Sequence, residues 1–171
     1  MPLDLMKASF TAFAVAAFAT QSMAQSIPAP SGPVILTISG QIDVTNVDGT
    51  LQFDRETFAD IDQTQIETST IWTDAIHKFQ GVSLLSLTEL LGVSDGTLVA
   101  TAINDYAIEI PISDAQEDGP IIAYLMDGAP MSVRDKGPLW VIYPYDSSPA
   151  FRTAVIHSRS IWQLDRIDVV Q

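Results

Sequence analysis

The sequence predicts one α+β domain that is rich in β-structure, with a mixed sheet and short helices. Three observations support this class. Short β-branched segments with a period of two recur along the chain, turn residues separate them, and one leucine-rich segment has helical spacing. These segments extend over residues 34–171 without an internal repeat, so we expect a single domain with its own core.

Residues 1–24 have the pattern of a secretory signal peptide. An apolar run from Ala8 to Thr20 is followed by a small-x-small cleavage site that ends at Ala24. The run is short for a helix that spans a bilayer, and an uncleaved N-terminal anchor is the alternative. We therefore expect a periplasmic or secreted protein without a transmembrane segment, in which a Pro-rich spacer over residues 25–33 precedes the domain.

Composition excludes several classes of function. The formal net charge is -13, which repels nucleic acid and anionic lipid. The chain contains no cysteine, so it forms neither a disulfide nor a cysteine-based zinc or iron–sulfur site. His77 and His157 lack a metal-ligand spacing, and no phosphate-loop, nucleophile-elbow or dinucleotide motif is present. The sequence therefore identifies no metal ligands.

The domain is predicted to begin with two short strands. Residues 34–38 alternate and are β-branched, and residues 51–53 form a second strand after the turn at Asn46-Val-Asp-Gly49. Asp54 is then placed to cap a brief helix that buries Phe58 and Ile61.

A third strand is predicted to extend to Trp72, because Ile66, Thr68, Thr70 and Trp72 recur with a period of two. A loop is predicted to follow through residues 77–81.

The principal helix is predicted to start after Ser83, which is a favourable N-cap residue. Gly92 is placed to end the helix in a left-handed conformation. The helical spacing of four leucines predicts a core-facing stripe, made of Leu84, Leu87, Leu90 and Leu91.

The second half of the chain is predicted to be mostly strands. Asn104-Asp105 and Asp127-Gly128 are hairpin turn signals, because these residue types tolerate a left-handed backbone. The predicted strands are 98–103, 106–112, 121–126, 139–143 and 161–169.

Four motifs follow one another in a fixed order along this chain. They are Gly81-Val-Ser-Leu-Leu before the leucine-rich helix, Asn104-Asp-Tyr before Ile-Glu-Ile-Pro, Asp127-Gly-x-Pro-Met, and Lys136-Gly-Pro-Leu-Trp. The series resembles the oxidoreductase molybdopterin-binding domain, the central domain of sulfite oxidases and related reductases, over residues 34–169. The resemblance implies a sulfite-oxidase-type α+β fold. It also implies molybdopterin as the cofactor, in a cleft lined by loops at strand ends.

The resemblance places the molybdenum-ligating cysteine of that family within residues 70–74, before the Phe79-Gln-Gly-Val-Ser-Leu segment. This chain has Thr70, Trp72, Thr73 and Asp74 in that stretch, together with an isoleucine, and we take these four as candidate cleft residues. A thiolate suits a metal–dithiolene centre, whereas a threonine hydroxyl does not ionise near neutral pH. Three outcomes stay open: the domain binds the pterin without this ligand, binds another ligand, or binds nothing small.

Arg134, Asp135, Lys136 and Gly137 are the candidate residues for the phosphate side of the cofactor. Arginine offers a fork that matches phosphate, lysine adds a point charge, and glycine lets backbone N–H groups approach an anion. The alternative is a polar turn whose charges pair with each other or with nearby acids.

The resemblance adds three further candidates, which are Asn104, Asp105 and Tyr106. A hairpin turn alone explains the first two, so their place in a cleft rests on the resemblance.

Two classes of function follow from these observations. The first is an exported molybdopterin-dependent oxidoreductase, in which the cofactor supplies the reactivity and the protein positions it. The second is a non-catalytic periplasmic module, a sensor or accessory subunit that binds a pterin, another anionic small molecule or a protein partner. The missing cysteine favours the second class, while the Arg134 to Gly137 run favours retention of an anionic ligand.

Overall fold

A computed structural model describes residues 27–171 of the chain. The predicted signal peptide lies outside the described residues, so its cleavage after Ala24 stays a prediction. The described part is a mixed α+β fold with two sheets and few short helices, which confirms the predicted fold class. No helix in this part of the chain is long and apolar enough to cross a membrane.

The strands and helices follow one another along the chain without a long unstructured insertion. In order, they are β1 (Leu36–Gly40), β2 (Leu51–Phe53), α1 (Arg55–Ala59), β3 (Gln63–Thr68), β4 (His77–Ser83), α2 (Leu84–Leu91), β5 (Thr97–Ala102), β6 (Ala107–Pro111), β7 (Ile121–Met126), β8 (Ala129–Pro130), β9 (Trp140–Ile142), α3 (Ala154–Arg159) and β10 (Leu164–Val170).

Both sheets have five strands. The first has the order β2-β1-β10-β5-β6, in which β1 and β10 are parallel and the other neighbours are antiparallel. The second has the order β3-β4-β7-β8, and β9 also pairs with β7. Both sheets contribute to one apolar core, with Ile38 and Leu98 from the first and Phe79 and Ile122 from the second. Burial of this core stabilises the fold without any disulfide.

The capping residues that the sequence predicts are in place. The Asp54 side chain accepts from the Thr57 N–H at 2.9 Å and from the Ser31 and Gly32 N–H groups at 2.8 and 2.7 Å. These hydrogen bonds, led by that from Thr57, hold the pKa of Asp54 well below its usual range. The carboxylate therefore caps α1 and also ties residues 31–32 to the domain.

Helix α2 confirms the predicted leucine stripe in most positions. Ser83 caps its N-terminus and Gly92 ends it with a φ of 73°, as glycine allows. Leu84, Leu87 and Leu91 are buried, whereas Leu90 is only partly buried. In α1, Phe58 is buried as predicted. Ile61, which was also predicted to be buried by this helix, is partly buried and lies beyond the end of the helix.

The predictions around the third strand were wrong in two places. Strand β3 ends at Thr68, so Thr70 and Trp72 lie in a turn, where the Thr70 hydroxyl accepts from the Trp72 N–H at 3.0 Å. Residues 77–81, predicted as a loop, belong to β4, which pairs with β3 and β7 on its two sides. Glycine is required at position 81 of this strand, because a Cβ there would clash with the carbonyl oxygen of Ile122 in β7.

The predicted strand over residues 161–169 starts late, and the helix before it was missed. Strand β10 begins at Leu164, and α3 lies just upstream with Thr153 as its N-cap. Helix α3 has no fully buried residue, so it carries no apolar stripe that a sequence pattern would reveal.

Candidate functional site

A pocket with a volume of about 420 Å³ opens where four segments of the chain meet. They are the β3–β4 loop, the β5–β6 turn, helix α3 and the connection from α3 to β10. The lining residues are Trp72, Ala102, Asn104, Tyr106, His157, Ser158, Ser160, Ile161, Trp162 and Gln163. A concave site of this size, mostly apolar with a few convergent polar groups, is typical of small-molecule sites.

Trp72 is the centre of the aromatic cluster beside the pocket. Its ring makes edge-to-face contacts with Trp140, Tyr145, His157 and Trp162, with centroids 5.6 to 6.3 Å apart. Such pairs contribute about 0.5–1.5 kcal/mol each beyond the area they bury. The contacts fix the Trp72 ring against the pocket wall.

The β3–β4 loop that carries Trp72 is anchored at its first residues. The Asp146 carboxylate accepts from the Ser69 N–H at 2.6 Å and from the Ser69 hydroxyl at 2.8 Å. The Thr68 hydroxyl accepts from the Asp146 N–H at 3.1 Å. The hydrogen bonds from Ser69 hold the pKa of Asp146 below its ordinary value. The carboxylate therefore stays ionised and keeps the loop in place at neutral pH.

The segment after α3 is held by buried hydroxyl and indole groups. The Trp140 indole N–H donates to the Ser160 carbonyl at 3.1 Å. The Tyr145 hydroxyl donates to Ser160 Oγ at 2.6 Å, and Ser160 Oγ donates to the Ile156 carbonyl at 2.9 Å. Burial raises the pKa of Tyr145 to about 12, so its hydroxyl remains a donor. Ser160 lines the pocket, but these contacts use its side chain.

A second polar group fixes α3 against the rest of the domain. Arg159 donates to both Asp114 oxygens, at 3.1 and 2.9 Å, and the Tyr143 hydroxyl donates to the same carboxylate at 2.7 Å. Burial raises the pKa of Tyr143 far above its ordinary value, so this donor also keeps its proton. Arg159 is thus engaged by an internal carboxylate.

The β5–β6 turn forms the opposite side of the pocket. Asp105 has a φ of 65°, as expected for a tight turn, and its carboxylate accepts from Arg166 at 2.6 Å. Asn104 Oδ1 accepts from the Tyr106 N–H at 3.2 Å. The Tyr106 side chain is 53% exposed and forms an aromatic edge of the pocket.

The Arg134 to Gly137 turn adjoins the pocket but does not line it. The N–H of Gly137 donates to the Ser132 carbonyl at 2.8 Å, and a Cβ at Gly137 would meet the Met131 carbonyl oxygen at 2.0 Å. This glycine is therefore required by the chain's own close approach. The ammonium of Lys136 lies over the Trp162 ring, 4.4 Å from its centroid. Arg134 and Asp135 are exposed.

The structure brings three of the sequence-predicted site residues, Trp72, Asn104 and Tyr106, together on one pocket. The other predicted residues lie in the segments that carry or adjoin the lining. Thr70, Thr73 and Asp74 belong to the Trp72 loop, and Asp105 is paired with Arg166. Of residues 134–137, Lys136 contacts the lining, because its ammonium lies over Trp162 and its carbonyl accepts from the Gln163 N–H at 3.0 Å.

Most of the pocket lining that α3 and its connection to β10 contribute was not predicted from the sequence, above all His157, Trp162 and Gln163. Trp162 lies in none of the four motifs, and His157 lacks a metal-ligand spacing, so the sequence marks neither as a site residue. A local signal was the concentration of aromatic residues in the stretch from Trp140 to Trp162.

Comparison with known proteins supports the fold. No family model matches the chain, and no curated protein sequence matches it. Among solved structures, it is similar to the sulfane dehydrogenase SoxCD from Paracoccus pantotrophus, with a TM-score of 0.53 and 15% identity. The match covers 78% of this chain and 37% of that chain. At this identity the likeness shows the fold alone, which is a coarse sulfite-oxidase-like fold as the motif series predicted.

Proposed function

We propose that this chain is an exported, non-catalytic binding domain on a sulfite-oxidase-like fold. Its pocket would hold a small organic molecule with a planar ring, stacked among Trp72, Tyr106 and Trp162. The observation that carries the proposal is an aromatic pocket built on the loop where the resemblance puts the metal ligand, in a chain without a thiol.

The residues at this site do not fit a molybdenum–dithiolene centre. The thiolate that suits such a metal is missing from the whole sequence. In the Trp72 loop, the hydroxyls of Thr70 and Thr73 are hydrogen-bonded to each other at 2.9 Å. Among residues 27–171, no group of three or more His, Cys, Asp and Glu is arranged to hold a metal ion. The donor set therefore gives no basis for a redox step at a molybdenum–dithiolene centre.

The polarity of the lining residues also suits a planar heterocyclic ligand. The aromatic rings offer apolar faces, and the amide of Asn104 stands at the rim to hydrogen-bond a ring edge. The Gln163 amide nitrogen donates to the Val133 carbonyl at 2.7 Å, which fixes the orientation of that side chain. A few oriented polar groups among aromatic walls would orient a heterocycle in this pocket.

A pterin is the first planar heterocycle to test, because proteins of the sulfite-oxidase family use a pterin cofactor. Calorimetric titration with 6-hydroxymethylpterin, which carries no phosphate, should show saturable binding. Tyr106→Ala should weaken binding roughly tenfold, since stacking on one aromatic side chain contributes about 1–3 kcal/mol.

The matched control is Val170→Ala, which changes a residue that is 46% exposed at the end of β10 and outside the pocket. This variant should bind as the wild type does. Equal affinity of Tyr106→Ala and the wild type would overturn the assignment of this pocket.

A further inference from the structure

We infer that the preferred ligand of this pocket is an organic cation with a planar ring, such as an N-alkylated heteroaromatic compound. The inference rests on the proposed binding function of the same pocket and adds the charge of the ligand. It departs from the anionic ligand that the Arg134 to Gly137 motif predicts.

The first argument is the arrangement of the aromatic walls. Trp72 meets Trp162 at an interplanar angle of 73° and His157 at 77°, so neighbouring rings stand nearly at right angles and form a corner. Tyr106 lines the same pocket from the β5–β6 turn. Indole and phenol faces carry negative potential, and cages of such rings recognise quaternary ammonium and related cations.

The second argument is that the cluster already holds a cation. The Lys136 ammonium lies 4.4 Å from the Trp162 centroid and 5.6 Å from that of Trp140. Both distances are within the roughly 6 Å over which a cation is attracted to an aromatic face. The chain's own lysine therefore places a positive charge against the aromatic cluster, as a cationic ligand would do.

The third argument is the charge around the pocket. None of the ten lining residues is Lys, Arg, Asp or Glu, and the adjoining ammonium of Lys136 lies on the Trp162 ring. Two nearby arginines are engaged by carboxylates, Arg159 by Asp114 and Arg166 by Asp105. The chain as a whole has a net charge of -13, which attracts cations and repels anions at long range.

Three pyridine compounds test the inference because they differ mainly in charge. They are 1-methylnicotinamide, a cation; nicotinamide, which is neutral; and nicotinate, an anion. We expect 1-methylnicotinamide to bind roughly 3- to 30-fold more tightly than nicotinamide, which is the range for a cation–π contribution. Nicotinate should bind most weakly, and added salt should reduce only the preference for the cation.

Lys136→Met should change the affinity in opposite directions for a pocket that prefers cations and for a pocket that prefers anions. Removal of the ammonium ends its competition for the Trp162 face and its repulsion of a second cation, so 1-methylnicotinamide should bind about two- to tenfold more tightly. A pocket for anions would lose affinity instead. Lys78→Met is the matched control, since it removes the same charge from an exposed strand residue outside the lining and should change all three affinities little.

The outcomes separate this inference from the proposed function. The cation preference would be overturned if nicotinate bound most tightly, or if Lys136→Met bound the cation more weakly than the wild type does. The proposed binding function would stand in either case. Saturable binding of the pterin without any binding of 1-methylnicotinamide would likewise overturn the cation preference and leave the binding function. If neither the pterin nor any of the three pyridines binds, both the inference and the proposed function fail.

Discussion

The Asp146 carboxylate connects the stability of the Trp72 loop to ligand binding, and its removal tests that connection. Asp146→Ala deletes both hydrogen bonds from Ser69, at 2.6 and 2.8 Å. Hydrogen bonds to a charged group contribute about 1.5–3 kcal/mol when they are buried, but this carboxylate is exposed to solvent. We therefore expect a loss of only about 1 kcal/mol in the free energy of unfolding.

The effect on ligand binding should be about as large as the effect on the free energy of unfolding. Because Trp72 is held by this loop, Asp146→Ala should weaken ligand binding about fivefold, equivalent to about 1 kcal/mol. Hydrogen exchange of the backbone amides at residues 69–76 should become faster, because the loop opens locally. Calorimetric titration and exchange mass spectrometry measure these two effects.

Asp95→Ala is the control for charge alone, since it removes an exposed carboxylate just before β5 and outside the pocket lining. It should leave both affinity and loop exchange unchanged. If Asp146→Ala retains wild-type affinity and wild-type exchange at residues 69–76, the anchoring role of this carboxylate is refuted.

Four further predictions follow. Leu87→Ala should lower the free energy of unfolding by about 2–5 kcal/mol, because this side chain is 0% exposed and its truncation leaves a cavity; a change below about 0.5 kcal/mol in denaturant titration would contradict the core assignment. Acidification should destabilise the domain through Asp54, whose pKa is lowered in the folded state. The contribution of this carboxylate to stability is complete above an unfolded pKa of about 3.9 and is lost progressively as pH falls from there toward the folded pKa, so a pH series of thermal melts should show a weaker dependence for Asp54→Asn. Arg134→Ala should change the affinity for nicotinate and for 1-methylnicotinamide little in calorimetry, because this exposed side chain lies outside the pocket lining; a loss of nicotinate affinity of about tenfold or more would contradict that placement. Intact-mass measurement of the exported protein should show a chain that starts at Gln25, and a mass that includes residues 1–24 would favour an anchored protein.

Local signals in the sequence predicted the elements that depend on local chemistry. Asp54 and Ser83 cap helices, Gly92 ends one, and Asp105 adopts the left-handed conformation of a tight turn. Each of these features is decided within a few residues, so a single sequence carries the information.

Elements decided by tertiary contacts were not predicted. Strand β4 contains Gly81 and was read as a loop, because its strand identity comes from pairing with β3 and β7 on both sides. The end of β3 at Thr68 is set by Asp146, which lies 78 residues away in sequence. Helix α3 lacks a buried stripe and so gave no periodic signal.

The candidate site also combines residues that local motifs identify with residues that only tertiary contacts bring in. Trp72, Asn104 and Tyr106 were identified through the motif series, because each lies in or beside a quoted motif. His157 and Trp162 complete the pocket only because the chain returns after α3, and neither has a local pattern that marks it. The charged run from Arg134 to Lys136 is easier to recognise in the sequence than the aromatic lining residues that it adjoins.

The central claim is that this sulfite-oxidase-like fold binds an organic ligand without molybdenum chemistry. Metal analysis combined with pterin fluorescence, on protein purified from the periplasm of a host that synthesises molybdopterin, tests it most directly. We predict molybdenum at background level, because the chain offers no thiolate to the metal. Stoichiometric molybdenum, released together with a pterin on denaturation, would contradict this account.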